Sequence, residues 1–572
     1  MLDAFPTRVP DLATTVKASL RQFSSWEADN HVPRGEGLTV NISEEGQEIN
    51  ITTGKDDADT DMKWTFAAPL LWVNDPQFIH PSSGQRIRTL GHYSNESAIL
   101  DANIIHVQKN DDVSNNLHPP PLPGSLHPRG GIYSFSTDAT IIQTQNDRTL
   151  LRVEWNTGEL SFFDLAWLLE QAKVQRLGQE STAFEDFEQS SRQFHEEQKT
   201  LQAIINAHLG SRALAPSPLD ATRVIKDIAI CSRYNDNNDE VTDKLDLGIP
   251  TWEYEQVMNS EEQLFEAMQG IFEYGAVLIR NAPVPSRKDS LEQQEAIVGN
   301  LGKQFSGGTL SHGSLYGDVF HVQSKAGAEN IAYTNVGLPP HQDLTYYESK
   351  PFLQLLHCAN NGNGDDNRII GGESVLIDAM AAAEELRTLA PNIFDILCQT
   401  EATFIKERQG ADMVSPKPHI VTDPALGHVV EINWSPPFEG PFQLHPRIPV
   451  ESYVEAYQAM EIMLDDQRDA TGIDTTKGFL EHNLKLRLKE YAREYTWEYA
   501  LEPGDILVFN NQRMLHGRRE FTAMGSAERH LIGCYTDAMD TISRYRQLLR
   551  ERGGTNGGGY GKRNPGSGCR WI

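Results

Sequence analysis

The chain has 572 residues, too many for one ordinary core and enough for two domains around a buried site. Its formal net charge of -30 excludes a nucleic-acid protein, because phosphate binding needs a basic surface that releases counterions, and leans weakly toward cationic or zwitterionic small substrates. Five scattered cysteines without C-x-x-C spacing exclude a disulfide framework and a cysteine zinc site and fit a reducing, cytoplasmic setting, while no apolar run reaches the roughly eighteen residues of a membrane span.

Residues 1–35 mix acids and bases without a signal-peptide core and read as an N-terminal arm. Residues 36–175 form a β-rich domain: Leu38–Ile42 and Leu150–Trp155 alternate apolar and polar side chains at strand period, and between them Pro119–Gly124 is a loop that continues neither helix nor ladder. Residues 176–240 are a helical linker, with a polar helix over 183–208 and a Pro-containing break over 213–219.

Residues 241–550 form the larger domain. Leu264, Phe265, Met268, Ile271 and Phe272 place a helix over 261–274, and Gly275–Arg280 follows as a buried strand. Short strands are predicted at 352–357, 374–377, 429–433 and 505–509, helices at 380–388 and 451–470, and a polar insertion at 361–368. Many short strands buttressed by a few helices give a mainly β, α+β architecture, a double-sheet jelly roll. Residues 551–572 are Gly-rich and predicted disordered.

His341 and Asp343 are two apart at the end of an extended run that includes 331–334, so both side chains point one way while Gln342 faces the other. His516, after the strand at 505–509, is expected to arrive from the other side of a barrel. Two imidazoles and one carboxylate on one face of an ion leave the opposite positions open, the arrangement of non-haem Fe(II) oxygenases. Any one of these histidines alone reads as an ordinary hydrogen-bonded residue. Arg529 lies thirteen residues after His516 and heads a strand. A guanidinium there can clamp a carboxylate with two parallel hydrogen bonds. Arg518 and Arg519 are alternatives; spacing favours Arg529, on a strand next to that of His516 in one sheet.

The segments 330–334 with His341-Gln342-Asp343-Leu344, Gln354–Cys358, Gly371–Ser374 with Asp378, and Leu515–Arg519 with Arg529-His530-Leu531 resemble the γ-butyrobetaine and trimethyllysine dioxygenase branch of the TauD-like Fe(II)/2-oxoglutarate oxygenases, over residues 245–550. Ser543–Arg546 leans toward the butyrobetaine side. The resemblance implies a double-stranded β-helix with His341, Asp343 and His516 on Fe(II), Arg529 gripping 2-oxoglutarate and Asn330 assisting. O2 is the co-reactant, ascorbate helps, and a homodimer is suggested. It also implies an aromatic cage of Tyr316, Phe320, Tyr333 and Tyr535 around a trimethylammonium group, each good cation–π contact contributing about 0.5 to 2 kcal/mol. Phe320 stands where the family has tryptophan, and Ser435 where it has the asparagine that recognises the substrate carboxylate.

The family's N-terminal zinc site has no counterpart here: its cysteines are missing from Leu71–Arg86, and Glu159 replaces its histidine. That domain is therefore expected to do without zinc and to be held by its core alone. The implied reaction is oxidation of an unactivated C–H bond in a small amine or betaine, with γ-butyrobetaine-like hydroxylation foremost. The alternative is hydroxylation, desaturation or cyclisation of an amino acid or other small metabolite. A non-catalytic metal-binding scaffold is the third reading, but such a protein would be free to lose some of His341, Asp343, His516 and Arg529, and all four are present.

Overall fold

The computed structural model describes residues 38–53, 62–75, 78, 86, 88–94, 96–107, 126–127, 131–132, 134–135, 142–143, 148–165, 168–169, 173–176, 249–286, 288–311, 315–323, 335–362, 369–408, 411–422, 427, 429–440, 448–465, 482–494, 496–524 and 527–551. The predicted arm, the proline loop, the 183–208 helix, the linker, the tail beyond 551, Asn330 and Tyr333 lie outside those residues, as does most of the polar insertion.

Two antiparallel sheets carry the C-terminal part. The larger has six strands in the order Thr251–Glu253, Ala276–Arg280, Ile506–Asn510, Leu353–Asn361, Arg529–Thr536, Val319–Gln323, its first pair parallel. The smaller has four, in the order Leu338–His341, Met514–Arg518, Ser374–Asp378, Thr496–Tyr499. The chain passes repeatedly between them: from Leu353–Asn361 to Ser374–Asp378, from Ile506–Asn510 to Met514–Arg518, then back to Arg529–Thr536.

Strand period decides which side chains meet. Ile506 and Val508 face a core with Leu264, Met268 and Ile271 of helix Glu261–Tyr274 and Val298 and Leu301 of helix Leu291–Ser306. Leu507 and Phe509, one residue out of phase, meet Leu376, Met514 and Trp497 in a core between the two sheets. Helix Glu261–Tyr274 occupies its predicted span; Ser260 caps its start and Gly275, at φ 83°, ends it. Helix Val450–Leu464 stops short of 470, and its C-cap Asp465 takes extended dihedrals.

The far face of the smaller sheet, through Val375, Ile377 and Leu515, joins helices Ala379–Leu389, Pro391–Gln399 and Val450–Leu464 in a third core that runs on into the N-terminal strands through Ile49, Trp64, Val153 and Trp155. Packing is not the only bond there, contrary to expectation. Fully enclosed Arg86 donates to the carbonyls of Glu439 (3.0 Å) and Gly440 (2.8 Å) and to Asn74 Oδ1 (3.0 Å). Within the N-terminal part, Arg88 lies over the rings of Trp72 and Phe78 and pairs with Glu159 at 3.3 Å. Trp155 donates to Ser161, which donates to Asp75. These contacts gather residues of the 71–86 and 155–159 segments, where the family resemblance would put zinc.

His357, on the helix-facing side between Ile506 and Ile532, is fully buried, and neither ring nitrogen has a hydrogen-bond partner among the described residues. Burial, with the nearby His530, lowers its pKa from 6.5 to about 4. Between those values the unfolded chain takes up a proton that the folded chain refuses, so stability falls as pH drops through that window. Urea unfolding of His357→Leu should therefore show a shallower loss of stability from about pH 6.5 to about pH 4 than the parent; an identical slope would refute this account.

Candidate active site

His341 ends the edge strand Leu338–His341 and pairs in register with His516 on the neighbouring strand. The two imidazoles therefore come from adjacent strands of one sheet, not from opposite sides of a barrel as the sequence suggested. Their ring centroids lie 4.4 Å apart. Asp343 is not on the strand either. It sits in the turn that follows, where buried Leu344 takes a left-handed φ of 58°, a conformation that costs a residue with a Cβ roughly 1–2 kcal/mol. The turn, more than strand pleating, brings the carboxylate to the histidines. Gln342 does face away, as expected: its amide and side-chain oxygen bond the oxygen and nitrogen of Trp434's backbone at 2.9 and 3.1 Å. Lys350 Nζ meets the same side-chain oxygen at 3.2 Å.

One ligand atom from each of His341, Asp343 and His516 lies within 4.8 Å of the others. His341 Nδ1 donates to the Pro339 carbonyl at 2.9 Å, which fixes the ring so that Nε2 lies 3.4 Å from Asp343 Oδ1. His516 Nε2 is 3.7 Å from Oδ2. Burial, with the adjacent His341, lowers the His516 pKa to about 3 against the pull of Asp343, so the ring is a neutral donor at ordinary pH. Burial alone would raise Asp343; His516, His341 and the Tyr535 hydroxyl overcome it and hold the carboxyl well below the usual range. Two imidazoles and an ionised carboxylate on a short baseline fit a divalent first-row metal, with nitrogen and oxygen donors.

Tyr535 and Gln354 are opposite one another on neighbouring strands, and both donate to Asp343 Oδ2 at 2.7 Å. They orient the carboxylate and leave Oδ1 toward His341. Gln354, though within a segment that carries the resemblance, was not singled out from sequence. Tyr535 was placed in a substrate cage, yet here its hydroxyl is committed to Asp343 and its ring stacks on Phe320 at 4.9 Å. Tyr316 continues the row at 6.5 Å from Phe320. Tyr346, also missed, bonds Tyr316 and meets Phe438 edge-on at 5.2 Å. Ser435 is buried just before Phe438, and its hydroxyl has no partner among the described residues.

Arg529 begins strand Arg529–Thr536 in the six-stranded sheet, so it does not share a sheet with His516 as spacing had suggested. It follows the same alternation as Leu531 and Tyr535, toward the space between the sheets. Only 6% exposed, it makes no hydrogen bond or ion pair among the described residues. Burial, opposed by Cys358, lowers its pKa to about 10, still charged at neutral pH. A buried cation without a partner is expensive, and an incoming carboxylate would relieve that cost. Arg518, on the same strand as His516, donates to the Val336 carbonyl at 2.6 Å; Arg519 pairs with Glu498. A cleft of about 430 Å³ is bordered by Gln323, Asn360, Glu528 and His530.

Replacing Tyr535 with Phe removes one of two donors to Asp343 Oδ2 while keeping the ring. Calorimetric titration with Mn(II) should show affinity lowered about tenfold or more, the usual effect of losing a partner of a ligating carboxylate. Unaltered affinity would refute the orienting role.

Residues 241–535, just over half of the chain, match the model of the taurine catabolism dioxygenase TauD, TfdA family. The chain is 30% identical to dioxygenase str8 of Strobilurus tenacellus over 52% of its own length and 62% of that protein's. It is also 30% identical to the γ-butyrobetaine dioxygenase of Pseudomonas sp. (strain AK-1), over 53% and 67%. A crystallised asparagine oxygenase with Fe(II), hydroxyasparagine and succinate aligns at 15% identity and a TM-score of 0.34, covering 55% of this chain and 91% of that one, and adds no argument at that score. Similarity to the first relative thus spans less than two thirds of its length. With the family match running through His341, Asp343, His516 and Arg529, this chain belongs to the TauD, TfdA dioxygenase family.

Proposed function

We propose that the protein is an Fe(II)- and 2-oxoglutarate-dependent dioxygenase on a double-stranded β-helix that oxidises an unactivated C–H bond of a small amine or betaine. The observation that carries this reading is the convergence of His341, Asp343 and His516 in a chain that also buries the Arg529 guanidinium, without a partner among the described residues. His341, Asp343 and His516 would hold the metal, and Arg529 would take the distal carboxylate of 2-oxoglutarate, with Asn330 assisting. When bound, Fe(II) with 2-oxoglutarate supplies O2 activation, coupled to release of succinate and CO2. The chain's own part is to keep His516 unprotonated, hold Asp343 ionised in one orientation, and exclude water with the aromatic and aliphatic core between the sheets.

The row Tyr316, Phe320, Tyr535 supports a quaternary-amine substrate, with Tyr333 as the fourth ring by resemblance and Ser435 near the substrate's far end. A second reading, oxidation of another amine, an amino acid or another small metabolite, is favoured by Tyr535 itself: one ring face is covered by Phe320 and the hydroxyl is taken by Asp343. The proposal includes a cytoplasmic location, ascorbate as a helpful reductant, and a homodimer. No helix among the described residues is long and apolar enough to cross a membrane.

Protein loaded anaerobically with Fe(II), 2-oxoglutarate, ascorbate and γ-butyrobetaine and then exposed to O2 should yield succinate together with a hydroxylated amine, read by mass spectrometry. Succinate without a changed amine selects the second reading; no succinate with any amine or amino acid tested refutes the oxygenase. Arg529→Gln should raise the KM for 2-oxoglutarate about 10- to 100-fold, more than that for the amine, because a charge-assisted bidentate contact is lost.

A further inference from the structure

The chain crosses from the six-stranded to the four-stranded sheet through residues 510–513, and Asn510, Asn511 and Arg513 are fully buried there. Buried amides and guanidinium groups are tolerated only where their hydrogen bonds are met. Arg513 meets Asp378 at 2.7 Å, and Asn510 Oδ1 accepts from the Gln512 amide at 2.9 Å. Asn511 is met by the metal segment itself. Its Oδ1 accepts from the Asp343 amide at 3.1 Å, and its Nδ2 donates to the Asp343 carbonyl at 3.0 Å. The same Nδ2 reaches the Pro351 carbonyl at 3.4 Å, and the Asn511 amide donates to the Phe352 carbonyl at 2.7 Å. One side chain thus pairs with both backbone polar groups of Asp343, as a neighbouring strand would, just where the strand has ended and Leu344 has turned left-handed.

We infer that Asn511 is a positioning residue for the metal centre. It ties the backbone of Asp343 to the segment that leads into His516, so that carboxylate and imidazole stand at metal-binding separation before any ion arrives. Without it, the Asp343 turn would have to be ordered on binding, at an entropic cost taken from the affinity. Asn511 touches neither metal nor substrate; it acts through Asp343. The inference rests on the reading of His341, Asp343 and His516 as the metal ligands.

The test compares Mn(II) affinity, by calorimetry on the full chain, with the thermal midpoint. Asn511→Asp keeps the shape and the acceptor but sets an oxygen against two carbonyls. Its Mn(II) dissociation constant should rise about 10- to 100-fold. Arg513→Lys, in the same crossing but bonded to Asp378, should lower the midpoint while leaving Mn(II) affinity within about twofold. Asn511→Asp with parental affinity, or Arg513→Lys losing as much affinity, overturns the inference. Should Asn511→Asp not fold, Asn511→Ser is judged by the same two criteria. Parent protein that binds no Mn(II), or binds it as well after Asp343→Ala, overturns the metal reading and this inference with it; a parent that binds through Asp343 leaves the role of Asn511 to stand or fall by itself.

Discussion

The register pair between His341 and His516 is the contact from which the rest of the site follows. Side chains alternate across a strand, so a slip of one residue would send His516 into the helix-packed core and Leu515 to the metal side. Two cores guard against that slip: Leu515 is locked against Val375 and Ile377 on one face, while Met514 is held by Phe509 and Trp497 on the other. The apolar pattern of these strands therefore does more than stabilise the fold. It determines which atoms can share an ion.

On that frame the site holds one charge favourably and another at a cost. Asp343 is held ionised by its neighbours, whereas Leu344 is left-handed and Arg529 is charged and buried without a partner among the described residues. The last two are costly, and a carboxylate at the guanidinium would relieve the cost of the second. Gln354 and Tyr535 show how the strain is contained: two strands in register present two donors to one carboxylate oxygen. The ordering is local, so the centre can be rigid while the segments around it differ in length.

Much of this was legible in the residues. Helix Glu261–Tyr274 and the strands around 353–361, 374–378 and 506–510 follow from period and from Gly275, and H-x-D with a distant histidine nominated three residues whose ligand atoms lie close together. What could not be read is pairing between distant segments. That Gln354 faces Tyr535, that His516 joins the strand of His341, and that Arg529 lies in the other sheet are properties of register and sheet order, which spacing along the chain does not encode. Likewise nothing in Asn510-Asn511-Gln512-Arg513 distinguishes a buried polar crossing from an exposed turn, since both favour the same residue types.

Arg86 gives the N-terminal part a bearing on the oxidation chemistry that its distance in sequence conceals. The carbonyls it satisfies belong to Glu439 and Gly440, which follow directly on Ser435–Phe438, the stretch beside Tyr346. A fragment starting at 241 would leave those carbonyls without Arg86 and strip the Val450–Leu464 helix of part of its apolar cover. Exchanging the N-terminal part would therefore remove the anchor of Glu439 and Gly440 and loosen the Ser435–Phe438 stretch that packs on Tyr346.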